Sequence, residues 1–102
     1  MRFRFRAAAR RDLEQIWLDT ADQRGADQAE KYVTEIEATV TRLSDFPERG
    51  TKIRTNVGTF RKMASGRHLV FYLVGQDEID VVRILHQRMD LTGVFAAGKD
   101  SA

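Results

Sequence analysis

Two histidines and a scatter of arginines are the side chains of this 102-residue chain that could do chemistry. His68 and His86 can trade protons near neutral pH. Arg61, Lys62, Arg67, Arg83 and Arg88 can steady an oxyanion or grip a phosphate, and Phe60, Tyr72 and Phe95 could stack beside them. By itself such a set suits a phosphate backbone, a stacked base or an acidic protein segment equally well. Other chemistries find no residues. The absence of cysteine excludes disulfides, thiolate metal sites and cysteine nucleophiles. The histidines have no acid nearby at ligand spacing, so no metal site is expected. There is no Gly-rich phosphate loop, nucleophile elbow or dinucleotide fingerprint, and Ser44, Ser65 and Ser101 carry no hint of a triad. No cofactor is expected.

The net charge of +2 conceals how unevenly these cations are placed. Residues 1–11 hold five arginines and no acid, and residues 12–48 hold ten acids against three bases. Residues 49–72 then carry six bases and no acid, and residues 73–102 five acids against three bases. A chain blocked in this way presents different faces to different partners. Hydrophobic residues make up 42%, enough for one modest core. No apolar run approaches the roughly 20 residues of a membrane span. The N-terminus alternates arginine with phenylalanine, unlike a signal peptide, so a cytoplasmic protein is expected.

The elements that must position these side chains follow from periodicity. Phe3 and Phe5 alternate with Arg2, Arg4 and Arg6, which predicts a strand with an aromatic inner face and a basic outer one. From Ala8 the period becomes helical, with Leu13, Ile16, Trp17 and Ala21 on one stripe until the turn cluster 22–25. Ala29, Tyr32, Val33, Ile36, Val40 and Leu43 form a second stripe, ended by Pro47. Two helices joined by about four residues should pack as an antiparallel hairpin. Residues 48–58 read as a loop. Three strand-like runs follow, Thr59 to Met63, His68 to Val74 and Ile79 to Leu85, with short glycine-containing links that favour an antiparallel meander. The expected architecture is α+β, in the order β-α-α-β-β-β, with a helical hairpin packed on one face of an antiparallel sheet. Residues 1–96 form one domain, and residues 97–102 are expected to be a disordered tail.

This layout leaves the second sheet face uncovered or only partly covered. Arg83 interrupts an apolar run, so it should lie on that face or its rim, or pair with Asp80 or another neighbouring acid. His68 opens one strand and His86 closes another, positions that suit a hydrogen-bonded structural histidine as well as a catalyst.

Several strings have a familiar look: Asp12-Leu13-x-x-Ile16, Ala29-x-x-Tyr32, Leu43-x-x-Phe46-Pro47-x-x-Gly50, Gly58-x-Phe60-Arg61 and His68-Leu69-Val70-Phe71-Tyr72. The most specific is Arg83-Ile84-Leu85-His86-Gln87-Arg88-Met89-Asp90. Together, over about residues 2–95, they resemble the ParE toxins of bacterial toxin–antitoxin modules, within the RelE/ParE superfamily.

The resemblance implies a non-catalytic poison of DNA gyrase, neutralised by a ParD-like antitoxin in a hetero-oligomer with the dimeric antitoxin. No sequence-specific nucleic-acid binding is implied. RelE-like relatives share the fold and cleave messenger RNA on the ribosome, which requires an acid or base and cations around the phosphate. Under that alternative Arg61, His86 and Arg88 would be catalytic. The terminal tyrosine of the RelE pattern falls here at Val94 or Phe95, neither of which ionises, so the departure favours ParE. The expected target or antitoxin contacts are Arg61, Lys62, Arg67, Arg83, His86, Arg88 and Phe95. An antitoxin segment should offer an apolar stripe to a groove between hairpin and sheet, and acids to the basic block. Phe46, Phe60, Phe71 and Trp17 are candidate groove or core residues, with the core expected for Trp17 and Phe71.

Overall fold

A computed structural model describes residues 1–55 and 58–89. The chain runs β1 (Arg2–Phe5), α1 (Ala7–Arg24), α2 (Ala26–Asp45), a short 3-10 turn (Pro47–Arg49), β2 (Thr51–Thr55), β3 (Gly58–Ser65), β4 (His68–Val74) and β5 (Glu78–His86). The α+β class and the helical hairpin are as the periodicity predicts. The sheet differs in two respects, and the helix link in a third.

It has five strands, in the order β1-β5-β4-β3-β2, and it is mixed, because β1 runs parallel to β5. The fifth strand, β2, lies inside the stretch read as a loop. Its sequence Thr-Lys-Ile-Arg-Thr has one apolar residue, Ile53, opposite Phe60. An exposed edge strand needs little apolar surface, and charges such as Lys52 and Arg54 discourage further pairing at an open edge. The helix link is also shorter than expected. Gly25 alone joins α1 to α2 at φ 93°, donating its N–H to the Ala21 carbonyl and accepting from Ala29. A residue with a Cβ is disfavoured at that angle, whereas glycine is at ease there.

The main core lies between hairpin and sheet. Ile36, Val40 and Leu43 of α2 and Ala9 and Ile16 of α1 meet Val70, Tyr72, Ile79, Val81 and Ile84. Each fully buried aliphatic side chain contributes about 1.5–3 kcal/mol. Phe5 packs against this core while Arg4 and Arg6 reach Asp80, but Phe3 is exposed, so the aromatic inner face expected of β1 is met only at Phe5. The opposite sheet face is not bare. Strand alternation places Phe60, Phe71 and Leu85 there, and all three are buried. Trp17 is only half-buried and ties the hairpin together, its indole N–H donating to Glu30 Oε1 at 3.2 Å. That corrects its expected place in the core. No helix among the described residues is long and apolar enough to cross a membrane.

Candidate functional site

The predicted site residues do not converge on one place. The sheet register distributes those described among three locations.

Arg61 sits opposite Tyr72 on β4 and Lys52 on β2. Its Nη1 donates to the carbonyls of Glu48 (3.0 Å) and Gly50 (2.7 Å), which pins the 3-10 turn to the sheet. The Tyr72 hydroxyl works beside it, donating to the Pro47 carbonyl at 2.8 Å and accepting the Gly50 N–H at 2.9 Å. Burial pushes the Tyr72 phenol above its ordinary range, against the opposing pull of Gly50 and Arg61. Lys62, the next residue, points to the face opposite the helices, across from Phe71.

Arg83 is engaged by an acid that local sequence did not suggest. Its Nε donates to Asp12 Oδ2 at 2.8 Å and its Nη2 to Asp12 Oδ1 at 3.0 Å. Asp12 lies on α1, 71 residues away, while Asp80 pairs with Arg4 and Arg6 instead. The ion-pair reading of Arg83 therefore stands with a different partner. Asp12 Oδ2 also accepts the backbone N–H of Ile84 at 2.8 Å. Because β1 pairs β5 only from Glu78 to Val81, the Ile84 amide lies beyond the last paired residue, and the carboxylate takes the missing strand's place. The register slips between Phe71 and Tyr72, which pair with Arg83 and Val81, leaving Val82 as the extra residue just before this fork.

The third location gathers Arg67, His68, His86 and Arg88 at the β3–β4 turn end of the sheet. His68 and His86 are cross-strand partners, their rings 5.3 Å apart and edge to face. The Tyr32 hydroxyl, read from sequence only as part of the α2 stripe, lies 2.6 Å from His68 Nδ1 and accepts the Arg67 N–H at 2.9 Å. The turn permits this through Gly66, at φ 59°, where a Cβ would press against the Tyr32 ring. Burial, and then the charge of His86, lower the His68 pKa from its ordinary value, opposed by Asp12 and Asp19. His86 Nδ1 accepts the Arg88 N–H at 3.1 Å. Among the described residues, no cluster of three or more His, Asp or Glu could hold a metal ion.

Of the residues the ribonuclease alternative would use, His86 and Arg88 lie together and Arg61 lies apart. Arg61 is level with Tyr72, whereas His86 is level with His68, four residues further along β4. At about 3.3 Å per residue they are offset by about 13 Å along the sheet, on strands two positions apart. Phe95 and Val94 lie outside the described residues.

A fourth feature is apolar. Phe46, ending α2, is 63% exposed, and with Met1, Pro47 and Val74 it lines a groove of about 810 Å³ whose rim carries Asp45, Glu48 and Arg49. Phe46 thus falls in the groove class, while Phe60 and Phe71 are buried.

Comparison with known proteins bears on the family and the fold. A family model described as the ParE toxin of the type II toxin–antitoxin system parDE matches residues 3–91. Toxin ParE1 of Mycobacterium tuberculosis (strain ATCC 25618 / H37Rv) is 42% identical over 91 residues, 88% of this chain and 93% of that protein. Toxin ParE1 of Caulobacter vibrioides is 34% identical over 88 residues, 86% of this chain and 91% of that one. The solved chromosomal ParDE system from P. aeruginosa has the same fold, with a TM-score of 0.73 at 23% identity, covering 84% of this chain and 95% of its counterpart. The chain belongs to the ParE family, the toxins of type II toxin–antitoxin systems.

Proposed function

We propose that this toxin acts without catalysis, by binding DNA gyrase, and that a ParD-like antitoxin silences it by direct contact. The observation that carries the reading is the separation of Arg61 from His86 and Arg88. Arg61 is occupied by two backbone carbonyls at one end of the sheet, and His86 lies at the other. A ribonuclease needs its base and its phosphate-binding cations around a single reacting centre. A protein-binding poison needs only a surface.

The Phe46 groove supports the antitoxin half of the reading. An exposed apolar patch rimmed by polar residues suits an amphipathic segment. The groove's rim reaches Arg49, and the neighbouring edge strand carries Lys52 and Arg54, all exposed. An antitoxin segment with apolar anchors and flanking acids is complementary to that combination. Lys62 and Arg88 remain contact residues of the proposal, and Arg61 and Arg83 support the surface from within the fold.

The pure protein should inhibit gyrase supercoiling near stoichiometric ratios while leaving messenger RNA intact in a translation extract. Messenger cleavage with normal supercoiling would overturn the proposal.

A further inference from the structure

A second cavity, of about 430 Å³, opens between the hairpin and the β3–β4 turn, and two of the expected contact residues, Arg67 and His86, line it. Its walls include Arg24 from α1, Tyr32 from α2, Arg67 from the turn, and both histidines.

The hydrogen bonds bear on where the imidazole protons sit. The Tyr32 O–H proton has two acceptors within reach, the Ser65 carbonyl at 3.4 Å and His68 Nδ1 at 2.6 Å. When the shorter contact takes it, the His68 proton sits on Nε2. A backbone N–H can only donate, so His86 Nδ1, which receives one from Arg88, is bare, and its proton is also on Nε2. Both imidazoles therefore line one cavity with an N–H that has no acceptor among the described residues. Arg24 and Arg67 add two guanidinium groups with no ion-pair partner among the described residues. The single acid on the wall, Asp19, accepts a hydrogen bond from Gln15 Nε2 at 2.9 Å.

Four donor groups facing one carboxylate make an oxyanion receptor, and the volume falls within the roughly 300–1,000 Å³ of small-molecule sites. We propose that this cavity binds a small phosphorylated ligand, a phosphate monoester about the size of a mononucleotide, with its phosphoryl oxygens on the Nε2–H groups of His68 and His86 and on Arg24 and Arg67. The charged groups that bear on His68 are Asp12 and Asp19 of α1 and His86 of β5; Arg24 and Arg67 stand on the cavity wall.

The test follows the imidazole resonances of the whole chain by NMR during titration with inorganic phosphate, with a nucleoside monophosphate and with a short DNA duplex, at about pH 6 and about pH 8. Saturable shifts of His68 and His86 are expected with the monophosphate. The exposed pair of changes Arg24→Ala and Arg67→Ala should weaken binding at least about tenfold with the backbone spectrum retained. His86→Gln should weaken it as well. The absence of saturable shifts up to about 50 mM monophosphate, far above useful affinity, would overturn the proposal. So would binding of phosphate alone or of the duplex alone, or equal monophosphate affinity in the arginine double variant.

Discussion

Asp12 of α1 and Arg83 of β5 form a two-pronged ion pair at 2.8 and 3.0 Å, and the same carboxylate caps the Ile84 amide. One side chain thereby joins the first helix to the last strand and finishes an edge that β1 is too short to cover. The hydrogen bond to Asp12 is also what holds the Arg83 pKa above its ordinary value.

Asp12→Ala removes the partner of a half-buried guanidinium and leaves a strand amide without its acceptor. It should cost about 2–4 kcal/mol in urea unfolding. Asp12→Asn keeps an acceptor for Ile84 and should cost less than half as much. Equal losses in the two variants would show that the charge, not the amide cap, carries the effect.

The hairpin and the β4–β5 pair were legible because their signals are local. The 3.6-residue stripe from Ile36 to Leu43 and the apolar run from His68 to Val74 need no distant partner to be recognised. β2 was not legible, because an exposed edge strand with one apolar residue has the composition of a loop. The parallel placement of β1 was hidden as well, since the choice of strand partner is made across the whole fold. The site was read less well for the same reason. Arg83 found its acid 71 residues away, and Tyr32 on an apolar stripe concealed a hydroxyl that orients His68. Arg61 has the residue type of a phosphate ligand, yet its geometry is that of a turn clamp.

The His68 shift sets a pH dependence. Burial keeps its folded-state pKa below the ordinary histidine value, so the unfolded chain binds more protons through that window. The stability contributed by neutral His68 is complete above the unfolded value and is lost as pH falls through the folded one. Urea midpoints should therefore drop from about pH 7.5 to about pH 5. His68→Gln should flatten that slope, and an unchanged slope would remove His68 as its source.

Gly66 holds the β3–β4 turn at positive φ directly beneath Tyr32. Gly66→Ala adds backbone strain and crowds the ring, which should cost about 1–3 kcal/mol. The displaced hydroxyl should also release His68 Nδ1. An altered His68 titration by NMR is the check, and a spectrum identical to that of the parent would refute the contact.

Phe46 contributes little to the fold, being mostly exposed. Phe46→Ser should change unfolding by no more than about 0.5 kcal/mol. It should weaken the antitoxin complex at least about tenfold in a calorimetric titration, as loss of an aromatic anchor does. Undiminished affinity would move the antitoxin to another surface.

Gyrase supercoiling, titrated with the pure chain and then with its antitoxin, addresses the central proposal most directly. Supercoiling should fail as toxin approaches the gyrase concentration and return when antitoxin is added. Normal supercoiling at large toxin excess, from protein that folds and binds its antitoxin, would contradict gyrase as the target.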